Sequence, residues 1–396
     1  MKSKKSLITA RVNKEGSFTY TRNFNFNSPR KFLMIAIAPL AMVAMAQPAS
    51  ATNWWTQTPT LSIGSAVINV QNMGAIGNGV TDDTAAFQAA FNALPASGGT
   101  VVVPNGTYMI NAVTGISMPS HSRLSMDASA ELSAIPNDSE RSAVLKVSDV
   151  NNVEILGGHI VGERAKHQGT TGEWGYAIDV EGSSTVSVHD IELSNCWGDG
   201  MVVTAIGSGS SEIMVKGVTI NRVTSTNNRR QGLTIGPAEQ IYVVNSNFTD
   251  SNGIAPQAGI DIEPDTQGTT SQVRIENSVL SNNVGNGLEM HANVSGVVLT
   301  TSQAENNKGY GVFDYGADDT QITSNLLSEN YLFGVDMAGN TTDVQIDGNT
   351  ITWNGDAWFY TNHESIFTEG WDPRDISIES STSGISLANN TISPQR

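Results

Sequence analysis

GIDIEPDTQGTTSQVRIENSVLSNNVGNGLEMH, residues 259–291, decides the fold. Its two ends match: GIDIE (Gly259 to Glu263) and GLEMH (Gly287 to His291) each place a glycine before an alternation of apolar and charged residues. Between them lie a second alternating stretch, QVRIE (Gln272 to Glu276), and a polar turn rich in Asn and Ser. Alternation with a period of two marks a strand with one face buried. The same short strand recurs as AIDVE (Ala177 to Glu181), GMVVT (Gly200 to Thr204), GLTIG (Gly232 to Gly236), GVFDY (Gly311 to Tyr315) and GVDMA (Gly334 to Ala338). Successive starts are 23, 32, 27, 28, 24 and 23 residues apart. Such a period with β-type alternation predicts an all-β solenoid in which each turn of chain adds one strand to each of several parallel sheets. The turns carry Asn252, Asn282, Asn306, Asn330 and Asn354, the last four at a constant interval of 24. These asparagines are expected to stack and pass amide hydrogen bonds from coil to coil.

Nearer the N-terminus, NVQNMGAIGNGVTDDTAAFQAAFNAL (Asn69 to Leu94) is followed by GGTVVVPNGTYMI (Gly98 to Ile110). A strand and a Gly-rich turn lead to Thr81 and Asp82, which suit the cap of a short helix whose apolar face includes Ala86, Phe87, Ala90 and Phe91. This opening resembles that of the pectate-lyase superfamily of right-handed parallel β-helices. The resemblance implies a single-stranded right-handed parallel β-helix with a short capping helix that covers the open end of the stack. The expected organisation is an N-terminal cap over about 65–110, regular coils over about 145–355 and a C-terminal cap over about 356–396. His363 and Trp371, in the tail that leaves the rhythm before GISLANNTIS (Gly384 to Ser393), are expected to serve packing or a turn.

Charge narrows the function. Residues 1–51 hold 8 of the 21 Lys and Arg but 1 of the 38 Asp and Glu. The run FLMIAIAPLAMVAMA and then Ala49-Ser50-Ala51 follow this basic stretch, the pattern of a signal peptide, so an exported protein with 52–396 as the β-helix domain is expected. Without that leader the net charge is 13 − 37 = −24, which disfavours nucleic acid as a partner. No membrane span is expected after cleavage, and a monomer is expected. The single Cys196 rules out an intrachain disulfide framework.

Strand alternation sends the residues at places two and four after each glycine away from the core. One outward column reads Asp179, Val202, Thr234, Asp261, Glu289, Phe313, Asp336, and the other Glu181, Thr204, Gly236, Glu263, His291, Tyr315, Ala338. Together they are expected to form a solvent-facing wall dense in carboxylates and aromatic rings, as a carbohydrate groove requires. Asp314 falls at an inward place, which predicts a one-residue register shift there.

Three segments of this wall, YAIDVE (Tyr176 to Glu181), DGMVV (Asp199 to Val203) and RQGLT (Arg230 to Thr234), resemble in order the active-site coils of secreted alginate (mannuronan) C5-epimerases. Those coils read Tyr-Gly-Phe-Asp-Pro-His, Asp-Gly-Phe and Arg-His-Gly-Phe-Asn. The resemblance implies that Tyr176 and Asp179 correspond to a catalytic tyrosine and aspartate and Arg230 to an active-site arginine. Glu181 and Gln231 stand where that family has histidines.

Abstraction of a uronosyl C5 proton needs a charge-neutralising clamp on the carboxylate, a base, and a proton donor. Arg230 is the candidate clamp, Tyr176 the proton shuttle, and Asp179 and Glu181 the carboxylates beside them. Arg229, Gln231, Asp199, Asp261, Glu263, Glu289, His291, Tyr315 and Trp174 are candidate substrate contacts. So are Lys166 and Glu173 in the loop GERAKHQGTTGEWG. The expected function is a lyase or C5-epimerase acting on an acidic polysaccharide. A polygalacturonase-like hydrolase using Asp179, Asp199, Asp261 and Glu263 is the alternative. A non-catalytic glycan-binding or adhesive β-helix would instead use Trp174, Trp197, Phe313 and Tyr315 for stacking. No cofactor is assigned with certainty. Calcium is compatible with the acidic wall, although neither EF-hand spacing nor repeated GGxGxD occurs.

Overall fold

Short parallel strands with apolar residues at alternate places stack directly on one another. The computed structural model describes residues 9–12, 18–21, 60–207, 209–264, 268–355 and 375–392. Apart from an antiparallel pair, Thr9–Val12 with Phe18–Thr21, the expected leader lies outside the described residues. Residues 356–374 of the expected C-terminal cap, including His363 and Trp371, lie outside them as well.

One sheet of ten parallel strands runs from Ile116–Ser117 through Arg141–Ser148, Trp174–Glu181, Met201–Thr204, Leu233–Ile235, Ile260–Ile262, Leu288–Met290, Val312–Tyr315 and Val335–Ala338 to Ile376–Ile378. A second face stacks Asn151–Leu156, Ser184–Ser194, Val215–Thr226, Ala238–Val244, Thr270–Glu276, Val294–Thr300, Asp318–Thr323 and Thr342–Asp347, and a third includes Gln303–Glu305, Leu326–Ser328 and Thr350–Thr352. The chain is therefore a parallel β-helix. Its core is a set of aliphatic columns: Ile262, Met290 and Met337 in one, Val218, Ile241, Val273 and Val297 in another, all fully buried. Parallel pairing begins earlier than the Gly-initiated repeat suggests, because Gly99–Val103 already pairs with Ser122–Met126. The coil with Arg141–Ser148 lacks the glycine that made the later ones conspicuous.

That glycine has a steric cause. A Cβ on Gly259 would lie 2.8 Å from the carbonyl oxygen of Gly287, and one on Gly287 or Gly311 would lie 2.6 Å from that of the next stacked glycine. Real Cβ atoms do not approach backbone oxygens so closely, so each coil can nest on the next only where the side chain is absent.

The capping helix spans Thr84–Asn92 and buries Phe87, Ala90 and Phe91. Its cap differs from expectation in detail. Asp82 accepts hydrogen bonds from the backbone N–H and hydroxyl of Thr84, whereas Thr81 makes no cap. Asp83 turns away and accepts from Ile76 N and Gly77 N, which ties the Gly-rich turn to the helix start. No helix among the described residues is long and apolar enough to cross a membrane.

The asparagine ladder is present but shifted. Asn227, Asp250, Asn282, Asn306, Glu329 and Trp353 occupy left-handed corners, and the next residue of each coil points inward. The ladder runs Asn283–Asn307–Asn330–Asn354, each Oδ1 accepting from the backbone and amide N–H of the preceding member at 2.8–3.1 Å, and ends on Asp375. Asn330 and Asn354 are ladder members as expected. Asn282 and Asn306 are corner residues, and Asn252 instead accepts from Arg164 Nη2 at 2.6 Å. The constant interval misled because one coil is a residue shorter, so Asn307 aligns with Asn330. Asn307→Ala would strand Asn283 N–H and the Leu280 carbonyl in a dry interior. Each orphan costs about 1–3 kcal/mol, so urea unfolding is expected to show a loss of about 3 kcal/mol. A loss under about 1 kcal/mol would remove the ladder from the account of stability.

At Asp314 the register does not shift. The residue pairs with Met290 and Met337 at inward places, and its carboxylate is satisfied there by Ala317 N (2.9 Å) and Thr341 Oγ1 (2.8 Å).

Candidate active-site groove

The outer face of the ten-stranded sheet carries the first column in the expected order, from Asp179 through Val202, Thr234, Asp261, Glu289 and Phe313 to Asp336. It does not face open solvent. Asp179 is 8 % exposed, Asp261 0 % and Glu289 9 %, because neighbouring strands about 4.8 Å apart pack their side chains shoulder to shoulder. The column is the floor of a groove, and the second column is its more open margin, with Glu263 and Tyr315 exposed.

At the N-terminal end of the groove lies a recess of about 360 Å³ lined by Ser117, Met118, Arg141, Ser142, Lys146, Asp179 and Glu181. Arg141 and Lys146 come from the strand beneath Trp174–Glu181, and register sets Lys146 beside Asp179 and Arg141 beside the half-exposed Trp174. Arg141 Nη2 donates to Glu181 Oε1 at 2.9 Å, and Lys146 Nζ donates to the Thr114 carbonyl at 2.8 Å. Burial pushes the Asp179 carboxyl up, Glu181 adds to this, and Arg141 and Lys146 oppose it, leaving a pKa of about 7. Its Oδ1 is buried without a hydrogen-bond partner. Tyr176 packs on the outer side of the sheet against Ala143 and Val202. Burial and then the Asp199 charge raise its phenol far above the usual range, so it stays protonated.

Two coils on, Arg230 Nη1 donates to Asp199 Oδ2 at 3.0 Å and to Gln231 Oε1 at 3.1 Å, with Glu173 3.9 Å from Nε. The Arg230 side chain is 14 % exposed and that of Asp199 is wholly buried. Thr234 Oγ1 also donates to Asp199 Oδ2 at 2.8 Å. Burial raises the Asp199 pKa to about 6 against the pull of Arg230 and Thr234. Gln231 is fully buried and bridges this cluster to the next by donating to Asp261. There His291 Nε2 sits 3.3 Å from both Asp261 Oδ1 and Glu289 Oε1. Burial raises the Asp261 carboxyl. Burial would lower the His291 imidazole, but the two carboxylates beside it raise it.

Tyr176, Asp179, Glu181, Glu173, Asp199, Arg230, Asp261, Glu263, Glu289 and His291 thus lie along one groove. Two candidate substrate contacts are engaged by other groups of the protein instead. Arg229 stacks its guanidinium 3.7 Å from the Trp197 ring centroid and donates to the Gly172 carbonyl at 2.9 Å. Gln231 has no exposed surface. Trp197, also stacked on His167 at 3.8 Å, anchors the loop and is not a free sugar platform. Lys166 ends a 3-10 turn, Arg164–Lys166, and is exposed. Tyr315 stands 6.0 Å from Phe313, which stacks on Tyr310 at 5.0 Å, at the far end of the groove. Sequence reasoning missed Arg141 and Lys146. The signal was present, since Lys146 and Ser148 extend the two outward columns by one coil, but RSAVLKVS (Arg141 to Ser148) lacks the leading glycine.

Comparison with known proteins agrees with this architecture. A family model described as "Right handed beta helix region" matches residues 255–393, and one described as "Rhamnogalacturonase A/epimerase, pectate lyase-like" matches residues 67–313. The chain is 29 % identical over 324 residues to the uncharacterized protein YclG of Bacillus subtilis, covering 72 % of this chain and 55 % of that protein. It is 28 % identical over 266 residues to mannuronan C5-epimerase AlgE2 of Azotobacter vinelandii, covering 65 % of this chain and 24 % of that one. The chain therefore spans about half of YclG and a quarter of AlgE2. The structure of the A-module of the Azotobacter vinelandii epimerase AlgE4 superposes with a TM-score of 0.56 at 17 % identity, covering 83 % of this chain and 100 % of the module. PfbA, a surface adhesin of Streptococcus pneumoniae, superposes with a TM-score of 0.59 at 14 % identity over 82 % of this chain and 89 % of its own. At these identities the structural likeness is one of fold, and it is shared by an enzyme module and an adhesin. With a family model matched over more than half its length, this right-handed parallel β-helix belongs to the pectate lyase-like rhamnogalacturonase A/epimerase family.

Proposed function

We propose that the protein is an exported enzyme that removes the C5 proton of uronosyl residues in an acidic polysaccharide, as a C5-epimerase or a lyase. The observation that carries this reading is Asp179, a carboxylate with a pKa of about 7 on the floor of a recess that also holds the cations of Arg141 and Lys146. A uronate carboxylate between those cations has its charge neutralised, which acidifies C5–H. Asp179 takes that proton, and the electron pair moves into the C5–C6 bond as an enediolate. Transfer of the Tyr176 phenolic proton to the opposite face then inverts C5, and solvent reprotonates the phenol. Alternatively, expulsion of the 4-oxygen, protonated by Tyr176, leaves a C4–C5 double bond. Tyr176 suits the donor role because its environment keeps it neutral.

Arg230 takes a different part from the clamp suggested by sequence. Committed to Asp199, it shapes the wall beside Tyr176 and leaves the accessible carboxylate contacts to Arg141 and Lys146. A hydrolase reading is weaker because Asp199, one of its carboxylates, is bound by Arg230 and Thr234. Glycan binding without chemistry is favoured by the stack of Tyr310 with Phe313 and Phe333 at centroid distances of 5.0 and 6.1 Å. The test is incubation with alginate, pectate and other acidic glycans in D₂O. Deuterium at C5 or ultraviolet-absorbing unsaturated ends is expected. New reducing ends without unsaturation would indicate hydrolysis, and no change in any polymer would leave only binding.

A further inference from the structure

The groove floor holds a second constellation that the proposed chemistry does not use. Asp261, Glu263 and His291 each bring one ligand atom to within 4.8 Å of the other two. The strands Ile260–Ile262 and Leu288–Met290 pair in register, so Asp261 stands directly beside Glu289. Glu263 and His291, each two places further along, share the next outward position. Local strand geometry alone therefore converges three carboxylates and an imidazole.

An ion pair accounts for this cluster poorly. His291 Nε2 lies 3.3 Å from Asp261 Oδ1 and 3.3 Å from Glu289 Oε1, and a single N–H cannot point along both lines. Neither contact has hydrogen-bond alignment, and both Nε2 of His291 and Oδ1 of Asp261 are buried without a hydrogen-bond partner. Asp261 is wholly buried, and a buried carboxylate oxygen left bare calls for a partner. A metal ion in place of the proton would satisfy all of these atoms at once. Ligand atoms about 2.0–2.1 Å from a tetrahedral metal are about 3.4 Å apart, close to the 3.3 Å from His291 Nε2 to Asp261 Oδ1 and to Glu289 Oε1, with a Glu263 oxygen within 4.8 Å of the Asp261 and His291 ligand atoms.

The outer contacts are also those of a built site. Gln231 Nε2 donates to the other oxygen of Asp261, and Asn286 Nδ2 donates to Glu289 Oε2 at 2.8 Å. Each holds a carboxylate in a fixed orientation, as outer-shell partners do. An imidazole among carboxylates suits borderline first-row ions and not the all-oxygen preference of calcium or magnesium. We propose that Asp261, Glu263 and His291, with Glu289 beside them, bind a divalent first-row transition-metal ion, Zn²⁺ foremost. Through Gln231 the site would be linked to Arg230, so the ion would stiffen the groove at its middle.

The test uses the whole chain stripped with a chelator and titrated with Zn²⁺, Co²⁺ and Ca²⁺ separately, without any glycan. One equivalent of Zn²⁺ with a raised Tm and visible absorption bands with Co²⁺ are expected. His291→Gln should weaken Zn²⁺ binding more than about 100-fold, since outer-shell partners alone are worth about 10–100-fold. Because Glu263 is exposed, Glu263→Gln is expected to fold normally and still weaken binding at least about tenfold. His189→Gln, on another face and bonded to Asp190 and Glu154, should leave it unchanged. No stoichiometric Zn²⁺, wild-type affinity in the Glu263 and His291 variants, or binding of Ca²⁺ alone would overturn the proposal.

Discussion

Asp179→Asn is expected to cut turnover on a uronate polymer by about 10²–10⁴, the usual worth of a positioned proton-transfer group, while making the protein more stable above pH 7. The two effects have one cause. Burial, reinforced by Glu181, lifts the Asp179 pKa from its ordinary 3.8 to about 7, so the folded state favours the neutral acid more than the unfolded chain does. A raised pKa of this kind contributes stability that is complete below about pH 4 and is lost as pH climbs through about 7. Asparagine, unable to ionise, escapes that loss. With about 1.4 kcal/mol at stake per pH unit, the wild type is expected to lose on the order of 2 kcal/mol between pH 5 and 8, and the variant distinctly less. Some slope remains in the variant between about pH 4 and 6, because Asp199 is raised to about 6 in the same way. Thermal unfolding at pH 5 and 8, beside turnover at both, measures the pair. A variant less stable than wild type at pH 8 would show that attraction to Arg141 and Lys146 dominates. Turnover unchanged at both pH values would end the role of Asp179 as the base.

Arg230→Ala is expected to act in the opposite sense on stability, with a loss of about 3–5 kcal/mol, the usual result of removing one partner from a buried ion pair. Asp199 would remain wholly buried with its Oδ1 already unpartnered and only Thr234 among side chains donating to it. Its carboxyl would then be pushed higher still and take up a proton on folding at neutral pH. Gln231 would also lose the guanidinium that bonds its Oε1. The double variant Asp199→Asn/Arg230→Gln is expected to recover most of the stability, since two neutral amides leave no charge to bury. Urea unfolding of Asp199→Asn, Arg230→Gln and the double variant isolates the coupling. A cost below about 1 kcal/mol for Arg230→Ala would mean that the pair is effectively solvated. Activity is expected to fall in all three variants because the wall beside Tyr176 changes, so recovery of stability without activity separates framework from chemistry.

The outward column from Asp179 to Asp336 was legible residue for residue because strand alternation is local: side chains on adjacent places must leave opposite faces. The stacked glycines were legible for the same reason. Arg141 and Lys146 were not, since their strand has the alternation but no glycine to mark it. The asparagine ladder was half legible, because coils of 23 and 24 residues differ by one place, and one place separates a left-handed corner from an inward amide. Asp314 read as a fault in register because an inward carboxylate looks costly until Ala317 and Thr341 are seen to satisfy it.

Sequence by itself determined the solenoid, the order of residues along its groove and the apolar face of the capping helix, all of which follow from periodicity and from backbone sterics within a coil. Only the tertiary structure decided which groups are available to a ligand. Arg229 was tied to Trp197 and the Gly172 carbonyl, Gln231 was turned inward, Arg230 was tied to Asp199, and the recess opened beside Lys146. Those outcomes depend on which side chains stand about 4.8 Å above and below and on where the loops fold back. The neighbours are set by the exact length of every coil, which no single segment encodes.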